Sequence, residues 1–539
     1  LLDRRLRSDD SLPIRQSALT FHAVSFPEYK DSDFGESPLP RRHGVGIDRM
    51  TGATSDGALY EHEFLPRGTK FDIRITAEGR DDETMGRDQS EGIPGPAPSK
   101  AIELLLHLIR SLFESETISL GGRTGSGQGA IKVQESNKKR QGSNEERQDS
   151  DDQYLRIVAQ SKGIEGKRLV DVIDPLTGAL TEGPESSKGT DSSAWAGSKP
   201  ARIKIKWWSP TGIFVAEDEK LTKRRKAQKE EENRKKGTDE EVHEVIYPLR
   251  DPSEAWENAQ LLIPGTSIRG ALRSRASRIA RTVLAARREL EPFASHDLHD
   301  QIAAEPNLVR YMFGSTEYRG AVTVHDCLST KRGKLIEVTH NAIDRWTGGV
   351  IDGGLFTEAV YLGTEWEPIT IEIDLRQLLN NIEAEKGPEA KRGPADAAEA
   401  EHSSVEREQP KPTHADYAHA AYILLGLVLA ELSAGTLPLG SRSTRGLGQV
   451  VVSTIEVEGA DRDGVDLPSW DLNGCEALQQ PATGAAAMTD ALYEGQRKLA
   501  EQVLKHLKDK YEETDWSKRL ENGPGAARKQ SEGTGAADD

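Results

Sequence analysis

Apolar and polar positions alternate along "RIKIKWW" (residues 202–208), "GAVTVHDCL" (320–328), "PITIEIDL" (368–375) and "GQVVVSTIEVE" (448–458). Alternation with period two predicts strands that lay one face on a core. Two segments between them have helical patterning. "IPGTSIRGALRSRASRIARTVLAARREL" opens with a Pro-Gly turn, offers Thr266 or Ser267 as N-cap and continues as a helix. "HADYAHAAYILLGLVLAEL" is apolar nearly all round, which predicts a helix buried on every side. The order β-α-β-β-α-β predicts an α+β domain of ferredoxin-like (RRM-like) topology, an antiparallel sheet with both helices on one face.

The N-terminal part of the chain repeats the later elements of this pattern. "SLGGRTGSGQG" (119–129) matches "PLGSRSTRGLGQ" (438–449) without a gap, and "GIDRMTGATSDGALYE" (46–61) matches "AIDRWTGGVIDGGLFT" (342–357). "LTFHA" (19–23) resembles "VTVHD" (322–326). Repetition at this scale points to two copies of one structural unit. The first copy predicts strands near 18–25, 71–76 and 130–133 and a helix at 100–113, but no opening β-α pair. It is therefore read as incomplete at its N-terminus, either because the chain is a fragment or because another segment completes the sheet.

The expected organisation is a first domain over 1–134, a largely flexible linker over 135–200 with a short ordered piece at 154–160, and a second domain over 201–458. A C-terminal extension over 459–539 holds a helix at 488–511 and a Gly- and Ala-rich tail. Lys- and Glu-rich residues 219–244 and Pro-, Ala- and Glu-rich residues 383–412 read as solvated insertions in the second domain. At 539 residues the chain exceeds what one core supports, in keeping with two domains.

Glycines between a buried helix and a strand let backbone N–H groups approach an anion. Arg123 and Thr124 in the first loop, and Arg442, Ser443 and Arg445 in the second, could then clamp a phosphate. A plain tight turn is the alternative. Neither loop is a P-loop, because neither ends in Gly-Lys-Ser/Thr. The start of the Arg-rich helix, with Gly265, Ser267, Arg269 and Arg273, offers a second phosphate site at free N–H groups. In D-R-x-T-G-(G/A), the Asp caps a turn and leaves Arg49 or Arg345 to face an interface or a bound partner.

Net charge is −18, which argues against nonspecific nucleic-acid binding by the whole surface. Yet residues 262–288 carry seven Arg and no acid, so a local basic face for an enclosed polyanion is expected. Only Cys327 and Cys475 occur, without a Cys/His cluster, so a structural zinc site is not expected and a reducing cytoplasmic setting fits. No apolar run is expected to reach the roughly 18 residues of a membrane span, and no membrane partner is expected.

Four motifs in order carry a family resemblance: "IPGTSIRGALRSRASRI", "MFGS" (312–315), "AIDRWTGG" followed by "DGGLF", and "LGSRSTRGLGQV". Together they resemble the RAMP-superfamily backbone subunits of type III CRISPR effector complexes, in the fused double-domain form. The resemblance covers residues 202–458, and its C-terminal half covers about 12–133. It implies two modified ferredoxin-like RAMP domains in a ribonucleoprotein of antiviral defence. The guide crRNA would be held through its backbone and paired to target RNA. Other subunits would be partners: a large polymerase-like protein and further RAMP proteins stacked head to tail. The guide-contacting loops would fall on Gly121, Gly127 and Gly129, on Gly440, Gly446 and Gly448, and on residues 264–270. The hairpin carrying "WTGGVIDGGLFTEAVYL" would separate stretches of duplex, with Trp346 or Phe356 at its tip.

Some subunits of this kind cut target RNA with an Asp between the first strand and the IPG motif. Asp218 and Asp239, with His243 as helper, are the candidate catalytic residues of a metal-dependent endoribonuclease. A divalent ion such as Mg2+ would be the cofactor, with no organic cofactor. The rival readings are a catalytically silent structural fusion and a nucleotide-binding enzyme with duplicated Gly loops.

Overall fold

The computed structural model describes residues 19–22, 39–77, 119–131, 154–158, 200–238, 242–253, 256, 258–293, 295–386, 412–479 and 489–523. The expected helix at 100–113, Asp239, the Pro-rich residues 387–411 and the C-terminal tail lie outside them.

The alternating segments form the expected sheet. Strands Ala201–Trp208, Val322–Val324, Ile369–Ile373 and Val451–Glu458 are all antiparallel to their neighbours. Called first to fourth in chain order, they lie as fourth, first, third, second, the ferredoxin-like arrangement, with Trp470–Asn473 added beyond the fourth. Ala201, Ile203 and Ile205 of the first strand are fully buried at alternate positions, as are Ile369 and Ile371 of the third. Helices α2 (Gly265–Ala286) and α6 (His414–Ser433) pack together over this layer. The helix α6 has a capping box, in which Thr413 and Asp416 satisfy each other's backbone N–H groups. It is long and apolar enough to cross a membrane, contrary to expectation, but most of its residues are buried in this core. The C-terminal helix α7 (Asp490–Lys510) lays Leu492, Leu499, Val503 and Leu507 inward, and Gly426 of α6 lets Leu507 approach where a Cβ would clash.

Two local expectations change. The Arg-rich helix starts earlier than expected: Pro264 is its N-cap, Gly265 already lies within it, and neither Thr266 nor Ser267 caps it. The cap comes from the loop just after strand Val322–Val324, where Asp326 accepts a 2.8 Å hydrogen bond from the Gly265 N–H. Gly265 is required there, since a Cβ would lie 2.2 Å from the Val324 carbonyl oxygen.

The second change concerns residues 219–244. Glu219–Lys236 is not a solvated loop but an 18-residue helix, α1. Lys, Glu, Arg and Ala are good helix formers. Asp218 accepts the Lys220 N–H as N-cap, Gly237 closes the C-terminus in the left-handed region, and Lys223–Glu219, Lys235–Glu231 and Lys236–Glu232 pair at i,i+4. One buried contact ties it down. Arg225 donates to Glu217, whose side chain is 2% exposed, and its guanidinium lies 3.1 Å from the Trp256 ring centroid. Burial raises the Glu217 pKa while Arg225 and Thr222 lower it, so the carboxyl depends on those two donors.

The described residues divide into two compact units. Strands Leu19–Phe21, Asp72–Ala77 and Tyr154–Val158 form a three-stranded antiparallel sheet in one, with Asp72–Ala77 in the centre. The ordered piece expected in the linker is thus a strand of this sheet. The antiparallel hairpin β2–β3 (Arg41–Ile47 and Thr54–Glu63) and residues 121–129 belong to the other unit, together with everything described from residue 200 onward. Two motifs of the first repeat are therefore built into the second domain.

Arg225→Ala should lower stability by about 3 kcal/mol, the usual scale for stripping one partner from a buried ion pair, and should speed proteolysis within residues 219–236. Denaturant midpoints and a timed digest check this. Adding Glu217→Gln should recover much of the loss, because an amide in that site carries no charge to compensate.

Candidate functional site

The repeated Gly loops share one backbone. Arg123 and Arg442 adopt left-handed conformations (φ 58° and 65°), each opens a single 3-10 turn, and Gly127 and Gly446 close it at φ 72° and 86°. Left-handed Arg is uncommon, and finding it twice at matched positions means the geometry is retained at a cost in backbone energy. Gly127 meets the backbone of His325, where a Cβ would be 2.7 Å from its Cα.

The side chains of the two loops are held differently. Arg442 Nε and Arg445 NH1 lie 2.7 and 3.3 Å from the carboxylate of Glu358, which is 1% exposed, and His340 Nε2 lies 3.3 Å from it. Arg123 instead lies over the Tyr60 ring and donates to its hydroxyl at 3.1 Å. His62 stands at the position matching Glu358, with Gln128 at 3.5 Å. Burial, then Arg123, Arg42 and His43, lower its pKa, which favours a neutral ring.

The Asp-Arg turns are also duplicates. Asp48 accepts the Met50 N–H at 2.7 Å and Asp344 accepts the Trp346 N–H at 2.7 Å, while Thr51 and Thr347 cap the following turn at 3.2 Å. The tips then diverge. The first is docked: Asp48 contacts His296 Nδ1 at 2.7 Å and Gln301 Nε2 at 2.8 Å, and Arg49 Nε reaches Glu305 at 3.1 Å. These donors hold the Asp48 carboxyl well below the usual carboxylate range, His296 foremost, then Gln301 and the Met50 N–H. The second tip, on the hairpin β8–β9 (Lys334–Ile343 and Val350–Leu362, which follow strand β7, Val322–Val324), is exposed. Trp346 stands 96% exposed at its end, and Arg345 is exposed beside it.

Docking of the first hairpin brings its strands to the loop before α1. His43 Nε2 lies 3.2 Å from Asp218 Oδ2, with the Asp218 side chain 10% exposed. Glu61, directly across the hairpin from His43, completes a group whose ligand atoms all lie within 4.8 Å of one another. Beside it is a cavity of about 50 Å³ lined by Arg42, His43, Tyr60, His62, Asp218 and Thr266 among others. One imidazole and two carboxylates are a donor set that a divalent cation accepts, so a metal ion fits here. His43 and Glu61 were missed in the sequence because their neighbourhood with Asp218 is made only by docking. His243 is exposed and no hydrogen bond or ion pair joins it to Asp218.

The Arg-rich helix does not present the expected basic face. Arg269 donates to the carbonyls of Val322 and Phe313, and burial followed by Arg273 lowers its pKa to about 10. Arg273 pairs with Glu305 and the Phe313 and Gly314 carbonyls, Arg275 with Glu431, Arg287 with Glu289, and Arg281 lies over Phe293. The Gly265 N–H is taken by Asp326, itself 2.8 Å from Arg42. Gly265, Arg269 and Arg273, expected at a phosphate, are thus committed to packing, because this helix end is buried under the first Gly loop and β7. Ser267 is half-buried there.

The family model of the RAMP superfamily matches residues 3–132 and 260–451. The chain belongs to that superfamily. No curated protein matches its sequence. Among solved structures it is similar to a chain of the type III-B Cmr-beta bound to cognate target RNA, at 12% identity and a TM-score of 0.25. That similarity covers 48% of this chain and 61% of the other, so this chain spans about three fifths of that relative's length.

Because its pKa is lowered in the folded state, Asp48 contributes stability fully above about pH 4, the range of an unfolded carboxyl, and loses it only as pH falls through its lowered value. The protection of residues 41–63 against hydrogen exchange, corrected for the intrinsic pH dependence of exchange, should therefore be the same at about pH 7 and about pH 5. Asp48→Asn should speed exchange of the tip at both.

Proposed function

We propose that the chain is a guide-RNA-binding backbone subunit of a type III CRISPR RNA-guided effector complex. The observation that carries this reading is the pair of Gly loops with matched left-handed Arg residues, in a chain of the RAMP superfamily. Two copies of one loop suit two successive stretches of one RNA. Recognition would run through phosphates and 2′-hydroxyls, without regard to sequence. Arg442 and Arg445 remain 34% and 43% exposed while bound to Glu358, so their remaining N–H donors are open to a phosphate. The exposed second tip, Asp344, Arg345 and Trp346, would meet the next RAMP protein or the guide–target duplex.

Target cleavage, where it occurs, belongs at Asp218. This acid sits between the first strand and the IPG helix, and the first hairpin covers it with His43. The sequence candidate Asp239 lies outside the described residues and His243 makes no contact with Asp218, so neither strengthens an alternative. Attack by a 2′-oxygen that gives up its proton, with departure of the 5′-oxygen carrying one, leaves a 2′,3′-cyclic phosphate and a 5′-hydroxyl. Such a transfer depends on positioning and charge stabilisation, and few side chains suffice.

Arg442→Ala with Arg445→Ala should weaken guide-RNA binding and lower the slope of log K against log salt by about one per lost phosphate contact. Filter binding across a salt series measures both. An unchanged slope would remove the loops from the phosphate path. Asp218→Asn keeps an N-cap acceptor for α1. In the assembled complex it should abolish one cut in the target and leave RNA binding intact, whereas loss of binding instead would assign Asp218 to the fold.

A further inference from the structure

We infer that His43, Glu61 and Asp218 form a divalent-cation site, and that the second hairpin cannot supply its share of such a site to any neighbour. The inference about RNA cutting rests on the reading above, whereas the cation site stands on geometry alone. Its ligands come from two repeats: His43 and Glu61 are cross-strand partners on the first hairpin, and Asp218 precedes α1 of the second domain. His43 lies 3.2 Å from Asp218, and all three ligand atoms fall within 4.8 Å of one another. Asp218 Oδ1 is engaged by the Lys220 N–H, which fixes the carboxylate and leaves Oδ2 toward His43. An independent sign of a polar occupant is the adjoining cavity of about 50 Å³, where the Nδ1 of His62 is buried without a protein partner. A cavity of that size admits water or an ion, not a nucleotide. Glu61 is also reached by Lys220 Nζ at 3.5 Å and Arg41 at 3.8 Å, cations that stand where a metal's charge would act.

An imidazole among carboxylates suits Mn2+ better than Mg2+, which prefers an all-oxygen shell and keeps its waters. The second hairpin is built to the same register, but its matching cross-strand pair is Thr339 and Thr357, hydroxyls 3.0 Å apart. Neutral hydroxyls hydrogen-bonded to each other give a cation neither charge nor imidazole. Of the two hairpins, only the first bears an imidazole and a carboxylate at this register, and the site they form with Asp218 lies where the two repeats meet.

The test is Mn2+ binding to the full chain without RNA, followed by electron paramagnetic resonance. A Mn2+ site that depends on His43 and Glu61 is expected. Glu61→Gln and His43→Gln, both at exposed positions, should each weaken it at least about tenfold. Lys220→Ala should tighten it by removing a competing cation, an effect that a merely structural Glu61 would not produce. Thr339→Ala should leave it unchanged. Mn2+ binding that is indifferent to His43 and Glu61, or that follows Thr339, overturns the site. In the assembled complex, one Mn2+-dependent cut per chain is expected, and two such cuts per chain overturn the assignment to a single junction. If RNA binding fails but Mn2+ binding behaves as stated, the effector reading falls and the site stands.

Discussion

The site hangs on a buried carboxylate. Glu305 is fully buried and holds two arginines, Arg49 from the tip of the first hairpin and Arg273 from the Arg-rich helix. A charge in that position is costly unless both lone-pair sides are met. Seating the hairpin therefore completes the core as well as the surface. Asp48, gripped by His296 and Gln301 a few residues away, fixes the angle of approach. With the Arg42–Asp326 ion pair on the hairpin's first strand, this anchor brings His43 and Glu61 to Asp218.

Most of the second domain was legible, because period-two strands and two helices with distinct burial leave few ways to arrange a βαββαβ chain. Ile203, Ile205, Ile369 and Ile371 are buried where the alternation puts them. The turn chemistry was legible too: the capped D-R-x-T-G turn forms twice. Charge was harder to read. The run 219–236 has no apolar stripe, so its fate as a helix depended on local caps, i,i+4 pairs and one buried arginine, Arg225. The Arg-rich helix misled in the opposite direction. Its arginines looked unpaired because their partners, Glu305, Glu431 and the carbonyls of Phe313 and Gly314, are distant in sequence. The same distance hid His43 and Glu61, since no local pattern ties a hairpin to a loop more than a hundred residues away.

The two repeats show how one framework is put to two uses. Backbone geometry is kept where glycine and left-handed arginine define it. Side chains change where partners change. Glu358 and His62 occupy the same hairpin position, yet one is a buried acid gathering Arg442, Arg445 and His340, and the other a ring beside Gln128 in a small cavity. Thr339 and Thr357 stand where His43 and Glu61 stand, and exposed Trp346 where Met50 does.

The distribution of charge then decides where a polyanion can be met. The net charge of −18 works against nonspecific nucleic-acid binding, and four of the five arginines of α2 are engaged within the fold, Arg273 and Arg275 by carboxylates, Arg269 by carbonyls and Arg281 by the Phe293 ring. What remains near the repeated loops is of another kind. Arg123 has only the ring and hydroxyl of Tyr60 as described partners, and Arg442 and Arg445 share one carboxylate between them. Two cations on one anion leave a net positive charge at the second loop, and an arginine on a tyrosine leaves one at the first. Each loop thus keeps a local positive charge in a chain whose net charge is negative. That arrangement favours a strand laid along the loops over one bound loosely anywhere else, because the same acidic surface that weakens stray contacts leaves these two unopposed.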